Sequence, residues 1–176
     1  MEVDKTTMKK IIISFLFLFS LFLTAASQAK SITIHLYRTT EKGHGKSVGK
    51  VIAMDTSYGL LLIPQLYGLT PGEHGFHVHV YPNCAQKGNA AGGHLDPQNT
   101  HKHLGPYNAH GHLGDLPVLY VNKKGNVVTP VLAPRLTTKD ISNHAIIIHI
   151  GGDNYSDHPE ALGGGGARFA CGINSS

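Results

Sequence analysis

The chain has 176 residues, of which 41% are hydrophobic and 15% are charged, and this composition excludes a disordered chain and fits one ordinary domain. The formal net charge is +4, and the Lys and Arg residues are scattered, so the sequence lacks the clustered basic surface of a nucleic-acid-binding protein. The chain also has 13 His residues, an unusual number for a small domain, which suggests a metal site.

The first 29 residues have the pattern of an export signal. Lys9 and Lys10 precede an apolar run over 11–23, and Ser27, Gln28 and Ala29 form a small-x-small cleavage site. The apolar run is short for a bilayer, which needs about 20 residues. We therefore predict a signal peptide at 1–29 and a mature domain at 30–176, with an uncleaved membrane anchor as the alternative.

The predicted mature domain contains two cysteines, Cys84 and Cys171. Export places a domain in an oxidising compartment, where disulfides form and persist. An even count suits one disulfide. Two free or metal-bound thiols are the alternative, although the chain lacks the Cys-x-x-Cys spacing that is typical of thiolate metal sites.

Alternation of apolar and polar residues dominates the mature chain and indicates β-structure. Eight strands are predicted, at 31–37, 47–55, 59–66, 75–80, 116–121, 127–132, 143–150 and 167–173. Residues 122–125 form a hairpin-turn signal, in which Gly125 supplies a positive φ. The all-β pattern points to an antiparallel sandwich or flattened barrel.

Two long loops interrupt this pattern, at 83–115 and 151–166. Loops of such length in a small domain are either functional or disordered. The first loop is rich in Gly, Asn and His. Its His content favours a function in which a bound metal supplies the order that the composition lacks.

Three His residues lie in the predicted strands rather than in the loops. His77 and His79 alternate within one strand, so both imidazoles lie on one face and suit two ligands of one metal. A pair of solvated His residues is the alternative. His149 ends the apolar run 145–148, where an imidazole is costly to bury unless it is hydrogen-bonded or metal-bound. Together the three form a nitrogen-rich site that suits copper.

The first loop supplies a second set of candidate ligands. His94, His103 and His112 recur every nine residues, and Asp115 follows three residues later. Three imidazoles and one carboxylate make a plausible tetrahedral zinc site. The two sets together are far more specific than either one alone.

With these motifs the sequence resembles the copper/zinc superoxide dismutases of the exported bacterial type. The matching runs follow family order through nearly all of the mature chain: His74-Gly-Phe-His-Val-His79, Gly92-Gly-His-Leu-Asp-Pro97, Gly111-His-Leu-Gly-Asp-Leu-Pro117, His149-Ile-Gly-Gly-Asp153 and Gly163-Gly-Gly-Gly-Ala-Arg-Phe-Ala-Cys-Gly172. The resemblance implies an eight-stranded antiparallel Greek-key flattened barrel, or immunoglobulin-like sandwich, whose two long loops form the metal site.

The resemblance also implies a role for each candidate residue, with one copper and one zinc ion per subunit. The copper ligands would be His77, His79, His94 and His149, and the zinc ligands would be His94, His103, His112 and Asp115. His94 would bridge the two metals and take part in catalysis. Arg168 would be the active-site Arg, Asp153 would link ligands of the two metals, and Cys84 would pair with Cys171.

The implied reaction converts two superoxide anions and two protons to dioxygen and hydrogen peroxide, with copper alternately reduced and oxidised and zinc structural. The alternative is a periplasmic copper/zinc-binding or storage protein on the same scaffold. We expect a periplasmic location, superoxide as the small-anion partner, no nucleic-acid partner and no stable membrane association after signal cleavage. The resemblance leaves a homodimer open, because the family includes both dimers and monomers.

Several other polar residues have no assigned ligand role. The resemblance makes His74 a structural residue beneath the copper site. His101 and His110, which alternate with ligand positions, are expected to be solvated. Lys87 and Lys102 lie in or near the first loop and are candidates for steering an anion, although two solvated lysines are an equal alternative.

Overall fold

The computed structural model describes residues 30–174, so the predicted signal peptide at 1–29 lies outside the described residues. The strands in chain order are β1 Ser31–Thr40, β2 Gly43–Thr56, β3 Gly59–Leu66, β4 Gly72–His74, β5 Phe76–His79, β6 Leu119–Val121, β7 Val131–Ala133, β8 Ala145–His149 and β9 Arg168–Ile173. Short 3₁₀ helices at Asn89–Ala91 and Ala161–Gly164 lie in the two long loops. No helix within 30–174 is long and apolar enough to cross a membrane.

Seven strands form one antiparallel sheet, in the order β5-β8-β9-β1-β2-β3-β7, and β4 pairs with β6 in a separate two-stranded ladder. The all-β antiparallel fold that the sequence predicts is therefore confirmed. Strands β5 and β8 are neighbours although 65 residues separate their ends, and the loop between β5 and β6 contains most of the candidate ligands.

The core forms because alternate residues of each strand face inwards. Ile34 and Leu36 of β1 are buried, and so are Leu60 and Leu62 of β3. Strand β8 is buried on both faces, which explains its continuous apolar run. Ile146 and Ile148 pack into the main core, whereas Ile147 packs on the other side against the two cysteines. Each such side chain contributes roughly 1.5–3 kcal/mol by burial.

Residues 30–174 form nine strands rather than the eight predicted, because the predicted fourth strand is part of a bent segment. Gly75 separates β4, which pairs with β6, from β5, which pairs with β8. A Cβ atom at Gly75 would lie 3.2 Å from His77 Cε1 and 3.3 Å from the Gly152 carbonyl oxygen. A larger residue would therefore crowd the candidate ligand His77 at this corner of the chain.

The turn at 122–125 forms as predicted, but it does not join two paired strands. Gly125 has φ +79 and donates its N–H to the Asn122 carbonyl oxygen at 2.9 Å. Strand β6 pairs with β4, whereas β7 pairs with β3. Val127 bridges to Leu66 directly after the turn. The chain therefore passes from the small ladder to the large sheet at this point, and the predicted hairpin pairing is wrong.

Cys84 and Cys171 form a disulfide across a sequence separation of 87 residues. Both residues are buried, and they pack with Ala91, Ala145 and Ile147. Cys84 begins the first long loop and Cys171 lies in β9. The bond therefore fastens the start of this loop to the interior of the large sheet.

Candidate metal centre

The sheet positions the three strand histidines beside one another. His77 and His79 lie on β5, and His149 ends the adjacent strand β8. All three are buried. His79 Nδ1 donates to the Gly92 carbonyl oxygen at 2.9 Å, and His149 Nδ1 donates to the Gly166 carbonyl oxygen at 3.0 Å. Each of these two rings is therefore fixed through one nitrogen, which leaves its Nε2 atom free as an electron-pair donor.

The first long loop adds its ligands by pairing with the outer edge of β5. His94 forms a β-bridge with His79, and Asp115 forms one with His77. Val78 lies between them, donates to the Gly114 carbonyl oxygen and accepts from Leu95 N, both at 2.8 Å. Backbone pairing with strand β5 thus fixes the loop at His94 and at Asp115.

These elements bring the potential ligand atoms into two groups. The first contains His77, His79, His94 and His149, and the second contains His77, His94, His103 and Asp115, with the ligand atoms of each group within 4.8 Å of one another. His112 borders the second group, since its Nδ1 lies 3.4 Å from Asp115 Oδ1. The structure therefore gathers all seven predicted ligands, and His77 and His94 belong to both groups.

Six buried nitrogen atoms in these groups have no hydrogen-bond partner among the described residues: His77 Nδ1, His79 Nε2, His94 Nε2, His103 Nδ1, His112 Nδ1 and His149 Nε2. An unpaired buried polar atom costs about 1–3 kcal/mol. Six such atoms that converge on two points need partners from outside the protein. A nitrogen-rich set suits copper, and a set with one carboxylate suits zinc.

Three residues of the second group, His94, His103 and Asp115, have the spacing of a tetrahedral site together with His112. The Nδ1 atoms of His94, His103 and His112 lie 3.0, 3.1 and 3.4 Å from Asp115 Oδ1. Four ligand atoms at about 2.0 Å from a tetrahedral zinc ion would lie about 3.3 Å apart. The residues present therefore fit the ion.

Asp153, in the second long loop, connects the two groups. Its carboxylate accepts from His77 Nε2 and from His103 Nε2, both at 2.7 Å. Burial raises the pKa of Asp153, but the hydrogen bonds from His103 and His77 outweigh it and hold the pKa well below its usual range. The ionised carboxylate orients one ring of each group.

Burial keeps the strand histidines neutral. It lowers the pKa of His77 to about 3 and that of His149 to about 4. His103 differs, because the nearby Asp115 carboxylate and the hydrogen bond with Asp153 overcome burial and raise its pKa to about 9. Metal ligands must be deprotonated, so His77 and His149 are ready to bind at neutral pH, whereas metal binding at His103 must release a proton.

Arg168 lies beside the first group and is held by carbonyl groups of the loop that follows Cys84. Its Nη1 donates to the Gly88 oxygen and its Nη2 to the Gly92 oxygen, both at 2.6 Å. Burial lowers the pKa of His79, and the positive charge of Arg168 lowers it further. The guanidinium is therefore close enough to act electrostatically on this group.

Comparison with known proteins agrees with this geometry. The family model for copper/zinc superoxide dismutase (SODC) matches residues 47–174. The chain is 47% identical over 153 residues to superoxide dismutase [Cu-Zn] of Photobacterium leiognathi, a match that covers 82% of this chain and 87% of that protein. The chain belongs to the copper/zinc superoxide dismutase family.

Solved structures of this family give the same result. The Brucella abortus copper/zinc superoxide dismutase is 48% identical, with a TM-score of 0.78 over 82% of this chain and 99% of that one. The monomeric copper, zinc superoxide dismutase from Salmonella enterica is 49% identical, with a TM-score of 0.73 over 82% of this chain and 99% of that one. The present dismutase is thus an oxidoreductase that acts on superoxide with copper and zinc as cofactors, and no finding favours a storage protein.

The remaining histidines of the dismutase lie outside the two groups. His74 donates from Nδ1 to the His149 oxygen at 2.6 Å, and its Nε2 lies 2.8 Å from the Thr70 oxygen, so it supports the end of β8. His101 and His110 are exposed. The charge of Lys87 is partly offset by an ion pair with Glu41 at 3.1 Å.

Sequence reasoning missed two residues that hold the zinc-side loop of the dismutase. Asp157 accepts from the His103 backbone N–H at 2.9 Å. The Tyr155 hydroxyl accepts from Val118 N at 3.0 Å, while its ring packs over Gly105. Both act on backbone groups far away in sequence, so no local motif signals them.

Gly163→Ala should disturb both metal groups through Asp153. A Cβ atom here would collide with Asp153 Oδ1 and lie 2.9 Å from His103 Nε2. We expect the affinity for both metals to fall about 10- to 100-fold, as when a hydrogen-bond partner of metal ligands is lost. Competition with a chelator measures this change.

Gly164→Ala is the matched control. Gly163 has φ +73 and Gly164 has φ +77, so both substitutions carry a similar backbone penalty. A Cβ atom at Gly164 has only ordinary contacts, the nearest with Glu160 Oε2 at 3.5 Å. Equal metal affinities of the two variants would contradict the role of Asp153.

Proposed function

We propose that the two groups of side chains are the two metal sites of the enzyme. Copper is held by His77, His79, His94 and His149, and zinc by His94, His103, His112 and Asp115. The observation that carries this assignment is the set of six buried nitrogens unpartnered among the described residues, which belong to two groups that share His77 and His94, or to His112 beside the second group.

Within this assignment His94 is a proton carrier. Bound copper supplies the one-electron exchange with superoxide, whereas zinc has no redox chemistry. His94 Nδ1 lies 3.0 Å from Asp115 Oδ1 on the zinc side, which keeps the ring in place. Its Nε2 faces the copper group and can hold a proton there for the reduced substrate. This Nε2 is buried and unpartnered among the described residues, so it is free to take up and release that proton.

Arg168 attracts and orients the substrate. Its two bonds to carbonyl oxygens fix the plane of the guanidinium. They use two of its five N–H donors, so others remain for a small anion. Carbonyl groups carry no net charge, so Arg168 keeps its full positive charge near the copper group. A positive cleft raises the encounter rate with an anion such as superoxide.

Asp115→Ala tests the zinc assignment. The substitution removes the carboxylate on which three Nδ1 atoms converge. We expect zinc to be lost and the loop from His94 to His112 to become more mobile, while His77 and His79 still bind copper. Metal analysis of the purified protein measures both ions. Zinc occupancy equal to that of the wild type would remove Asp115 from the ligand set.

Arg168→Ala tests the electrostatic role. We expect kcat/KM to fall about tenfold or more with copper and zinc contents unchanged, because a positive field raises encounter rates by about 10- to 1,000-fold. Arg168→Glu should reduce kcat/KM further, and Arg168→Lys should restore part of it, since lysine restores the charge but not the planar fork. Pulse radiolysis at several ionic strengths measures the rate.

The control for Arg168 is Lys123→Ala, which removes the same charge from the exposed turn at 122–125. This variant should match the wild type in rate and in salt dependence. Metal content must be measured in every variant, because a charge change near copper can alter its affinity. Fully metallated Arg168→Glu with wild-type activity at low salt would disprove the assigned role.

We further propose that residues 1–29 are an export signal and that residues 30–176 work in the periplasm. The buried disulfide supports an oxidising compartment, because such bonds rarely persist in the cytosol. N-terminal sequencing of the protein from a periplasmic extract should begin at Lys30. Recovery of the full-length chain in the membrane fraction would instead identify residues 1–29 as an anchor.

The proposed activity does not require the homodimer that the sequence leaves open. All seven proposed ligands lie together within one chain. The enzyme should therefore keep its activity per chain on dilution, whether or not two chains associate at high concentration. Sedimentation at micromolar concentration reports the oligomeric state.

A further inference from the structure

We propose that Arg135 is a positioning residue for zinc, which fixes the backbone of His112 from outside the metal loop. This proposal rests on the zinc assignment given above. Arg135 follows β7 and lies in the connection at 134–144, which contains no candidate ligand. Its side chain reaches the metal loop more than 20 residues earlier in the chain.

The segment that carries Arg135 is firmly attached to the β framework. Leu136, the next residue, is buried in the core, and so is Ile141. Thr138 donates from its N–H and its hydroxyl to the two carboxylate oxygens of Asp55 on β2, at 2.6 and 2.7 Å. Arg135 therefore extends from a rigid base and not from a mobile loop.

The guanidinium of Arg135 binds two successive carbonyl groups. Nη1 donates to the His112 oxygen at 3.0 Å, and Nη2 donates to the Gly111 oxygen at 2.9 Å. Within residues 30–174 no carboxylate lies at ion-pair distance from this half-buried side chain. The planar fork matches the spacing of the two oxygens and so fixes the direction of the peptide that carries His112.

His112 depends on this contact more than the other zinc ligands do. His94 and Asp115 form β-bridges with β5, and the His103 N–H is held by Asp157. The His112 N–H, by contrast, donates to the Lys102 oxygen of the same loop. Among the described residues, the hydrogen bond that joins the His112 backbone to a part of the domain outside the loop comes from Arg135.

The effect on zinc follows from the geometry. His112 Nδ1 lies 3.4 Å from Asp115 Oδ1, the longest of the three His–Asp115 distances. It also lies at the open side of the group, because His112 keeps some solvent exposure while His103 has none. Without Arg135 the peptide at 111–112 can rotate, and His112 must be ordered by the zinc ion itself.

The test compares Arg135→Ala and Arg135→Lys with Lys139→Ala. The last variant removes the same charge from an exposed position on the same connection. We expect Arg135→Ala to lower zinc affinity about 10- to 100-fold, the usual effect of losing a group that orients a ligand. Arg135→Lys should recover part of this loss, and Lys139→Ala should match the wild type. Copper content should stay unchanged in all three.

A second measurement separates positioning from a general effect on stability. The unfolding temperature of each variant is measured with and without zinc. A positioning role predicts that Arg135→Ala lowers the unfolding temperature of the zinc-loaded protein more than that of the metal-free protein, because only the native loop binds the ion tightly. Equal decreases, together with unchanged zinc affinity, would overturn the proposal.

Asp115→Ala is measured in parallel, so that the two possible failures can be told apart. If Asp115→Ala loses zinc but Arg135→Ala binds it like the wild type, the ligand assignment stands and the role of Arg135 is wrong. If Asp115→Ala also retains zinc, the ligand assignment itself is wrong. Arg135→Lys keeps the comparison valid if the alanine variant fails to fold.

Discussion

The structure depends on one constraint, which is that six imidazole nitrogens are buried together without hydrogen-bond partners among residues 30–174. Their combined penalty is on the order of 10 kcal/mol, comparable to the whole stability of an ordinary domain. Structural zinc in small domains contributes about 10–16 kcal/mol on binding. Two bound metals would satisfy the buried nitrogens, and the rest of the fold has to hold these atoms in position until the metals bind.

Different parts of the fold meet this requirement in different ways. Strands β5 and β8 hold three rings directly, because both strands are fully buried and paired with each other. The two long loops need additional contacts to hold their ligands, because their Gly-rich sequence has little tendency to form regular structure. The disulfide fixes the start of the first loop. Asp153 joins the second loop to the rings of His77 and His103. Asp157 holds the backbone at His103, and Arg135 holds it at His112.

The strands and the ligand types could be predicted from the sequence, because both depend on local patterns. Apolar residues at Ile34 and Leu36 alternate with polar ones and so indicate a strand. His77 and His79 share a face because side chains two residues apart in a strand point the same way. Strand pairing was harder to predict, since Gly75 divides one predicted strand between two ladders and the turn at Gly125 joins strands that do not pair. The contacts of Arg135 and Asp157 are made with backbone atoms distant in sequence, and side-chain patterns carry no information about them.

The two arginines that serve the metal loop share a feature that matters for an enzyme acting on an anion. Arg168 and Arg135 both donate to neutral carbonyl oxygens instead of carboxylates. A carboxylate partner would fix a guanidinium equally well but would cancel its charge, as Glu41 partly does for Lys87. Burial lowers the pKa of Arg168, yet a guanidinium stays protonated in proteins. Carbonyl anchoring therefore gives a rigid cation whose charge is not cancelled by a carboxylate partner.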